Sequence, residues 1–511
     1  MENEKKDINL FTRLIHGGHV PDILDCIANL SSDEVFTPPD LVDKMLDLFP
    51  EEIWGDSSLK WLDPACKTGI FLRQIAKRLM EGLRDEFPDE EKRREHIFHN
   101  MLYGIALTDL TALMSRRSLY TSKNANSEKS IAEFASPEGN ISYDNRPHTY
   151  VNGSCKYCGN KEGSELDRDE SRERHAYNFI HLTEEEAKNM KFDVIVGNPP
   201  YQLKDGGNGA SAAPIYQLFV QQAKRLNPRY MAFIVPSRWF AGGKGLDAFR
   251  DEMLHDRHIR QLVDYPNAED CFPGVEIAGG VCYFIWDRHH DGQCKITTVM
   301  GDAESNMCRN LDEFETFIRW NGGVSILRKV RLRNESTLDE VASARKPFGL
   351  ATNFTDFDAV QNPDKYKIYA STQTGQRKTG FVLKTKVQKG IDFIDKWKVL
   401  LPKAYRIGSS TDGGTIRPII AEPNSVCTET FIVIKTFDSE EQANNFMSYV
   451  FTRLFRFLVM LRKLTQDATA KVYSFVPDLP MDEKWTDEKL FERYDITPEE
   501  QDYIKSMIKE M

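Results

Sequence analysis

The sequence predicts an α/β fold: a mostly parallel, doubly wound sheet followed by a C-terminal domain of mixed α/β character. Three observations predict it. Between residues 60 and 290, short apolar runs alternate with amphipathic segments of about 10–15 residues, the pattern of parallel strands joined by crossover helices. Two tight corners, "DPACKTG" (63–69) and "NPPY" (198–201), each follow such a run. Ligands on doubly wound sheets sit beyond the carboxyl ends of the strands, so both corners open on one edge. From about residue 300 the segments become shorter, more basic and more mixed.

Taken in order, residues 1–60 read mostly as helices, with an amphipathic stretch in "PPDLVDKMLDLF" (38–49). Residues 59–83 read as a strand, a small-residue turn and a helix with Ile70, Phe71, Ile75, Leu79 and Leu83 as its apolar positions. A second strand-to-helix unit spans "HNMLYGIALTDLTALMSRRSLY" (99–120). Residues 121–175, rich in Gly, Asn, Ser and charge, read as an insertion. Strands resume at "HAYNFIHL" (175–182) and "FDVIVG" (192–197). A helix at 213–226 leads to the strand "RYMAFIVPS" (229–237), and a further helix-strand pair ends at "IRQLVDY" (259–265). "GGVCYFIWDR" (279–288) reads as an edge or hairpin strand. The expected domains are therefore an N-terminal helical segment (1–60), the sheet domain (61–120 and 176–300), the insertion (121–175) and a C-terminal domain (301–511).

The 511 residues suffice for two to four domains with sizeable cores. No window reaches ~18 consecutive apolar residues, so no membrane span is expected. The start, "MENEKKDINLFTRLIHG", lacks the apolar stretch of a secretory leader, which points to the cytoplasm. Nine scattered cysteines fit reduced thiols better than a disulfide framework. The net charge of −11 argues against nucleic acid, but its distribution does not. From Arg319 to Lys471 there are 25 Lys plus Arg against 15 Asp plus Glu, a local +10 on an otherwise acidic chain. That asymmetry fits a nucleic-acid face, and a solvated surface without a partner fits it equally.

"KFDVIVGNPPYQ" runs a strand into two prolines. Each fixes φ and removes a backbone donor, and the residue before them is held extended. The result is a stiff strand exit presenting an amide and an aromatic ring. With "VFTPPDLVDKML", "LDPACKTGIFL" and "FIVPSRWF" around it, this corner resembles that of the adenine-N6 DNA methyltransferases of restriction–modification systems. It is most similar to the type II enzymes of the gamma order, with cofactor motifs first and target recognition last. The resemblance covers about residues 33–290 and implies a Rossmann-like methyltransferase sheet. An exocyclic aromatic amine is a poor nucleophile because its lone pair is delocalised. Acceptors for its two N–H groups hold that lone pair toward a methyl donor. The resemblance assigns this work to Asn198 and Pro199, stiffened by Pro200, with Tyr201 stacking on a base flipped out of the duplex.

The resemblance also implies an S-adenosylmethionine pocket. Asp63, Ala65, Thr68 and Gly69 belong to its strand-end turn, and Phe36 and Thr37 pack over the methionine end. Lys67 stands where the family usually has glycine, its side chain directed to solvent or to the cofactor carboxylate. The ribose acid expected after the second strand is replaced by Ala106, with Asp109 three residues on. The register of the acid expected against the cofactor adenine lands on His181, which could contact adenine through a ring nitrogen; a buried histidine without a ligand role is the alternative. Trp239 and Phe240, at a later strand end, are candidates for the flipped-base pocket, and core packing is the alternative for Trp239.

In the insertion, Cys155-x2-Cys158 has the spacing of a zinc knuckle. His148 and His175 complete the candidate structural zinc site; His181 competes for the fourth place but is assigned to the cofactor. Two free thiols in a polar loop are the alternative. The C-terminal domain resembles, more loosely, a target-recognition domain for double-stranded DNA. "TRLFRFLVMLRKL" within it reads as a core helix with a snorkelling rim rather than a groove reader. No nuclease motif is evident, so a restriction endonuclease partner would be separately encoded. Two other functions stay open: methylation of a protein glutamine or of RNA, and a DNA-binding subunit with a degenerate cofactor site.

Overall fold

A computed structural model of the protein describes residues 35–144, 146–159, 161–163, 177–202, 214–372, 376–404, 416–463 and 468–511. The chain divides into two units, Met1–Glu313 and Phe314–Met511.

The first unit opens with α1 (Pro39–Leu46), β1 (Trp61–Cys66), α2 (Ile70–Gly82), α3 (Glu90–His96), β2 (Leu102–Ala106) and α4 (Asp109–Tyr120). Next come β3 (Ile141–Ser142), a small hairpin of β4 (Tyr150–Val151) and β5 (Ser154–Cys155), and α5 (Glu184–Asn189). It continues with β6 (Val194–Gly197), α6 (Tyr216–Arg225), β7 (Tyr230–Pro236), α7 (Asp247–His255), β8 (Ile259–Tyr265), β9 (Val281–Asp287), β10 (Cys294–Met300) and β11 (Ala303–Arg309). Nine strands make one sheet in the order β11-β10-β8-β9-β7-β6-β1-β2-β3. β3, β2, β1, β6 and β7 run parallel, and β9 inserts antiparallel between β7 and β8. The result is a mixed α/β sheet.

Local chemistry explains the elements that flank the site. Pro38 is extended and Pro39 sits in the first turn of α1, where a missing N–H costs nothing. Leu41, Val42, Met45 and Leu46 form the buried side of α1, and Arg78 of α2 pairs with Asp43 and Asp47 at 3.3 and 2.7 Å. Beneath them Trp54 stacks on Trp61 with ring centroids 5.1 Å apart. α4 starts at Thr108, whose hydroxyl accepts from the Thr111 amide while the Thr111 hydroxyl accepts from the Thr108 amide.

Two expected elements are corrected. The described part of "HAYNFIHL", residues 177–182, is not a strand: Asn178–His181 is a turn of 3₁₀ helix, and Ile141–Ser142, inside the segment read as an insertion, pairs parallel with β2. Two residues of pairing leave no periodicity to read. "GGVCYFIWDR" is a central strand rather than an edge. All seven residues of β9 are buried, and each large apolar side chain so buried contributes about 1.5–3 kcal/mol.

In the second unit, α8 (Asn321–Leu332) precedes two three-stranded sheets. One contains β12 (Lys365–Ser371), β13 (Arg377–Leu383) and β16 (Ser425–Cys427); the other contains β14 (Trp397–Pro402), β15 (Ile419–Ala421) and β17 (Phe431–Phe437). Their shared core includes Phe348, Leu400, Val426 and Val433. α9 (Glu440–Phe451), α10 (Arg453–Arg462), α11 (Asp487–Arg493) and α12 (Pro498–Met507) complete it. Every residue of α10 from Leu454 to Leu461 is buried, including Arg456, which donates to the Thr452 and Lys509 carbonyls. It is a core helix.

Gly280, just ahead of β9, has φ +80° and would place a Cβ 2.1 Å from the Tyr265 carbonyl oxygen. Gly274 has a similar φ of +76° but open space around it. Gly280→Ala is expected to lower the thermal unfolding midpoint well beyond Gly274→Ala, since backbone strain of about 1–3 kcal/mol is common to both and the clash is not.

Candidate active site

Three segments converge at the carboxyl edge of the sheet. β1 pairs with β6 in the register Trp61↔Val194 and Leu62↔Ile195. Asp63, midway along β1, therefore lies beside Gly197 at the exit of β6, ahead of Asn198. The extended residues before α1 complete the junction. The Val35 carbonyl accepts from Asn198 Nδ2 at 3.0 Å and from Lys67 Nζ at 3.1 Å. Thr37 Oγ1 accepts from the same Asn198 Nδ2 at 3.0 Å.

Both N–H groups of the Asn198 amide are thus used, and the flip of the side chain is fixed. Asn198 is 3 % exposed and its Oδ1 has no hydrogen-bond partner. A buried acceptor left unpaired costs about 1–3 kcal/mol. Pro199 and Pro200 are buried. Tyr201 is half-buried, with its hydroxyl pointed inward toward Cys271 and Cys282, where burial pushes it well above its ordinary range. The Tyr201 carbonyl accepts from the Ile215 amide at 3.2 Å, and Gln202 bridges to Pro214. The far end of the corner is thereby tied to the start of α6.

The "DPACKTG" turn is equally constrained. Asp63 is buried and its Oδ1 accepts from the Ala65 amide at 3.0 Å. Burial, only partly offset by that amide and by Lys67, pushes its carboxyl up to about 7. Lys67 is itself buried and turns inward to Val35, neither to solvent nor outward as its sequence position allowed. Gly69 adopts φ +72° and lies against the backbone of Ser115, where a Cβ would approach the Ser115 carbonyl oxygen to 3.0 Å. Ser115 Oγ donates to the Lys67 carbonyl and lies 3.0 Å from Cys66 Sγ, locking α4 to the turn. Ala65 is buried and Thr68 half-buried in the same turn; Phe36 is half-buried and Thr37 buried beside it.

Asp109 opens α4 and is exposed, next to Leu110 at 53 % exposure. Thr108 caps the helix, so neither residue is consumed by capping. Beyond the end of β3 lies Asp144, an exposed acid that the sequence reading passed over because the strand ahead of it was not recognised. Arg146 lies 3.6 Å from Asp144, holds Glu186 through two bonds of 2.8 and 2.6 Å and donates to the His181 carbonyl at 3.0 Å.

The structure places His181 beside the cysteines of the insertion. It is buried, burial pushes it down to about 4, and its Nε2 lies 3.5 Å from Cys155 Sγ. It forms a cluster with His148, Cys155 and Cys158 in which the four ligand atoms lie within 4.8 Å of one another. His175, expected in that cluster, lies outside the described residues. Trp239 and Phe240 are fully buried and pack on each other at 4.6 Å, with Trp239 also against Phe249. They are core residues beneath the strand end, not an accessible pocket wall. Arg238 between the strand and this pair is exposed.

Residues 100–272 match the family described as Eco57I restriction-modification methylase. An uncharacterized adenine-specific methylase of Mycoplasma pneumoniae is 40% identical over 307 residues, covering 54% of this chain and 72% of that protein. Among solved structures, the modification subunit of a putative type I restriction enzyme from Vibrio vulnificus YJ016 is similar with a TM-score of 0.33 and 16% identity, over 58% of this chain and 51% of that one. The type IIG restriction endonuclease BpuSI is similar with a TM-score of 0.43 and 12% identity, over 95% of this chain and 62% of that one. The type IIL restriction-modification enzyme MmeI, solved in complex with DNA, gives a TM-score of 0.43 and 12% identity over 84% and 63%. The chain spans about half to two thirds of the length of these solved relatives. With its corner, its turn and a matching relative of this identity, the chain belongs to the Eco57I-type family of adenine-specific restriction-modification methylases.

Proposed function

We propose that the chain transfers the methyl group of S-adenosylmethionine to the N6 amine of an adenine flipped out of a specific double-stranded DNA sequence, in the gamma arrangement of a type II modification enzyme. The observation that carries this reading is the fixed Asn198 amide with its unpaired, buried Oδ1. One N6 hydrogen donates to Asn198 Oδ1 and the other to the Pro199 carbonyl, which draws the lone pair out of the ring. When bound, S-adenosylmethionine would supply the electrophilic methyl group, toward which Asn198 Oδ1 and the Pro199 carbonyl would hold the N6 amine. The Tyr201 ring, its hydroxyl buried, offers a face to the base and offsets part of an unstacking cost of a few kcal/mol. Pro200 keeps that face rigid.

In this reading Asp63, Ala65, Thr68 and Gly69, with Phe36 and Thr37 opposite, hold the methionine end. Asp109 takes the ribose hydroxyls, exposed Leu110 packs on the adenine, and Asp144 stands where the acid for the cofactor adenine is needed. The unit Phe314–Met511 recognises the target sequence. Arg345, Lys346 and Lys403 all gather on one buried carboxylate, Glu429, leaving a net positive patch suited to phosphate. A separately encoded restriction endonuclease is the expected partner, and the cytoplasm the expected location. No helix among the described residues is long and apolar enough to cross a membrane.

The test is incubation with methyl-labelled cofactor and mixed-sequence DNA, followed by digestion to nucleosides. Label in N6-methyl-2′-deoxyadenosine is expected; label in cytosine, in RNA or in protein alone would overturn the reading. Asn198→Ala should abolish turnover while DNA affinity in a gel-shift titration stays near the parent's; equal loss of both would make Asn198 structural. Because Asp63 ionises near pH 7, a cationic ligand should bind more tightly as pH rises through that value. Calorimetry should show affinity for S-adenosylmethionine falling by about tenfold per pH unit below 7, and Asp63→Asn should flatten that slope. Lys346→Ala should lower the log–log salt dependence of DNA binding by about 1, the mark of one lost phosphate contact.

A further inference from the structure

We infer that the hairpin β4–β5 is a zinc knuckle whose ion is held by His148 Nδ1, Cys155 Sγ, Cys158 Sγ and His181 Nε2. Zinc takes sulfur at about 2.3 Å and imidazole nitrogen at about 2.0–2.1 Å in a tetrahedron, so adjacent S and N ligands stand about 3.5 Å apart. The two S···N distances across the cluster are 3.4 Å, Cys158 to His148, and 3.5 Å, Cys155 to His181. All four donor atoms fit within 4.8 Å. His181 Nδ1 donates to the Tyr177 carbonyl at 2.7 Å, which fixes the tautomer and leaves Nε2 bare toward the cluster. The Lys156 amide donates to the Thr149 carbonyl at 2.8 Å and the Gly159 amide to the Cys155 carbonyl at 2.9 Å, closing the loop that carries the two sulfurs. The hairpin itself turns through Asn152 and Gly153, both at positive φ (54° and 75°), the type I′ geometry that suits a two-residue loop.

A second observation is independent of those distances. Among the described residues from 146 to 163, Cys155 alone is buried, and Val151 is 53% exposed. An isolated two-stranded hairpin is marginal in water, and this one has no apolar core beneath it. Something other than hydrophobic burial must hold it, and a metal is the usual substitute in so small a unit. Two thiolates and two neutral imidazoles around Zn²⁺ also leave no net charge to bury.

The choice of His181 gives the ion a structural consequence. His181 closes the 3₁₀ turn Asn178–His181, whose Phe179 stacks on Phe219 of α6 at 5.9 Å. The ion therefore ties the hairpin to the helical layer over the sheet. Arg146, bonded to the His181 carbonyl and to Glu186, draws in the chain leaving β3. The inference does not rest on the methyl-transfer reading, and a zinc-free chain that methylated adenine would leave that reading standing.

Metal analysis of the full-length protein should find about one zinc per chain. Cobalt(II) exchanged into the wild type should give the visible absorption of a tetrahedral thiolate site, a readout that needs no variant to fold. Cys158→Ser and His148→Ala should weaken zinc binding by more than about 100-fold, beyond the loss typical of an outer-shell change. His181→Ala should lose the ion as well, and His175→Ala should keep it. No zinc in the wild type, an octahedral cobalt spectrum, retention in Cys158→Ser, or loss in His175→Ala with retention in His181→Ala would each overturn the assignment. Chelation of wild-type protein should open residues 146–181 to limited proteolysis, and unchanged resistance would count against the structural role.

Discussion

The Val35 carbonyl oxygen carries the geometry of the site. It accepts one hydrogen of the Asn198 amide and the Lys67 ammonium, and so binds the residues before α1, the turn after β1 and the corner after β6 to a single point. A carbonyl has two lone pairs, and both are engaged here. Thr37, two residues on, takes the remaining amide hydrogen. The orientation of Asn198 is then set by exhaustion of its donors: the oxygen has one direction left, into the site. Catalysis by positioning requires acceptors fixed before the substrate arrives, and here two hydrogen bonds of 3.0 Å hold the Asn198 amide.

Lys67 gains sense from the same point. A lysine where small residues are usual looks incompatible with a pocket for a cationic sulfonium. Directed at Val35, its charge is spent within the protein, and its distance-dependent pull on Asp63 only partly offsets that acid's burial. Asp63 remains poised near pH 7 instead of being locked as a carboxylate. In the empty site, ionising it works against the fold: stability falls as pH rises from the ordinary carboxylate value of 3.8 toward about 7. A bound cation reverses the sign of that effect. Strain of this kind at a ligand pocket is a familiar cost of preorganisation.

How far the sequence discloses this site depends on what each residue contributes. Side chains at strand ends are legible. Asn198, Tyr201, Asp63 and Gly69 could be placed because apolar runs announce strands, and prolines and small residues announce their exits. Val35 could not, since a main-chain carbonyl has no residue signature. Asp144 was missed because β3 pairs through only two residues, too few for a period. Counting back from Asn198 reaches His181 but carries no information on the hairpin at 150–155, whose Cys155 sulfur lies 3.5 Å from His181 Nε2. Trp239 and Phe240 show the opposite error: aromatics at a strand end read as pocket and core alike, and only burial separates them. In the second unit the buried helix α10 was readable from its apolar spacing, whereas the gathering of three cations on Glu429 depends on side chains 26 to 84 residues apart in the chain.

The most direct measurement is the single-turnover rate of methyl transfer by Thr37→Val, with S-adenosylmethionine and a cognate duplex both saturating. Removing one of the two acceptors that hold the Asn198 amide should forfeit about 1 kcal/mol of orientation, or roughly a fivefold slower transfer step. Dissociation constants for cofactor and DNA should stay near those of the parent. A Thr37→Val enzyme that transfers methyl groups at the parental rate would contradict the account, because the amide would then owe its direction to something other than the Val35–Thr37 clasp.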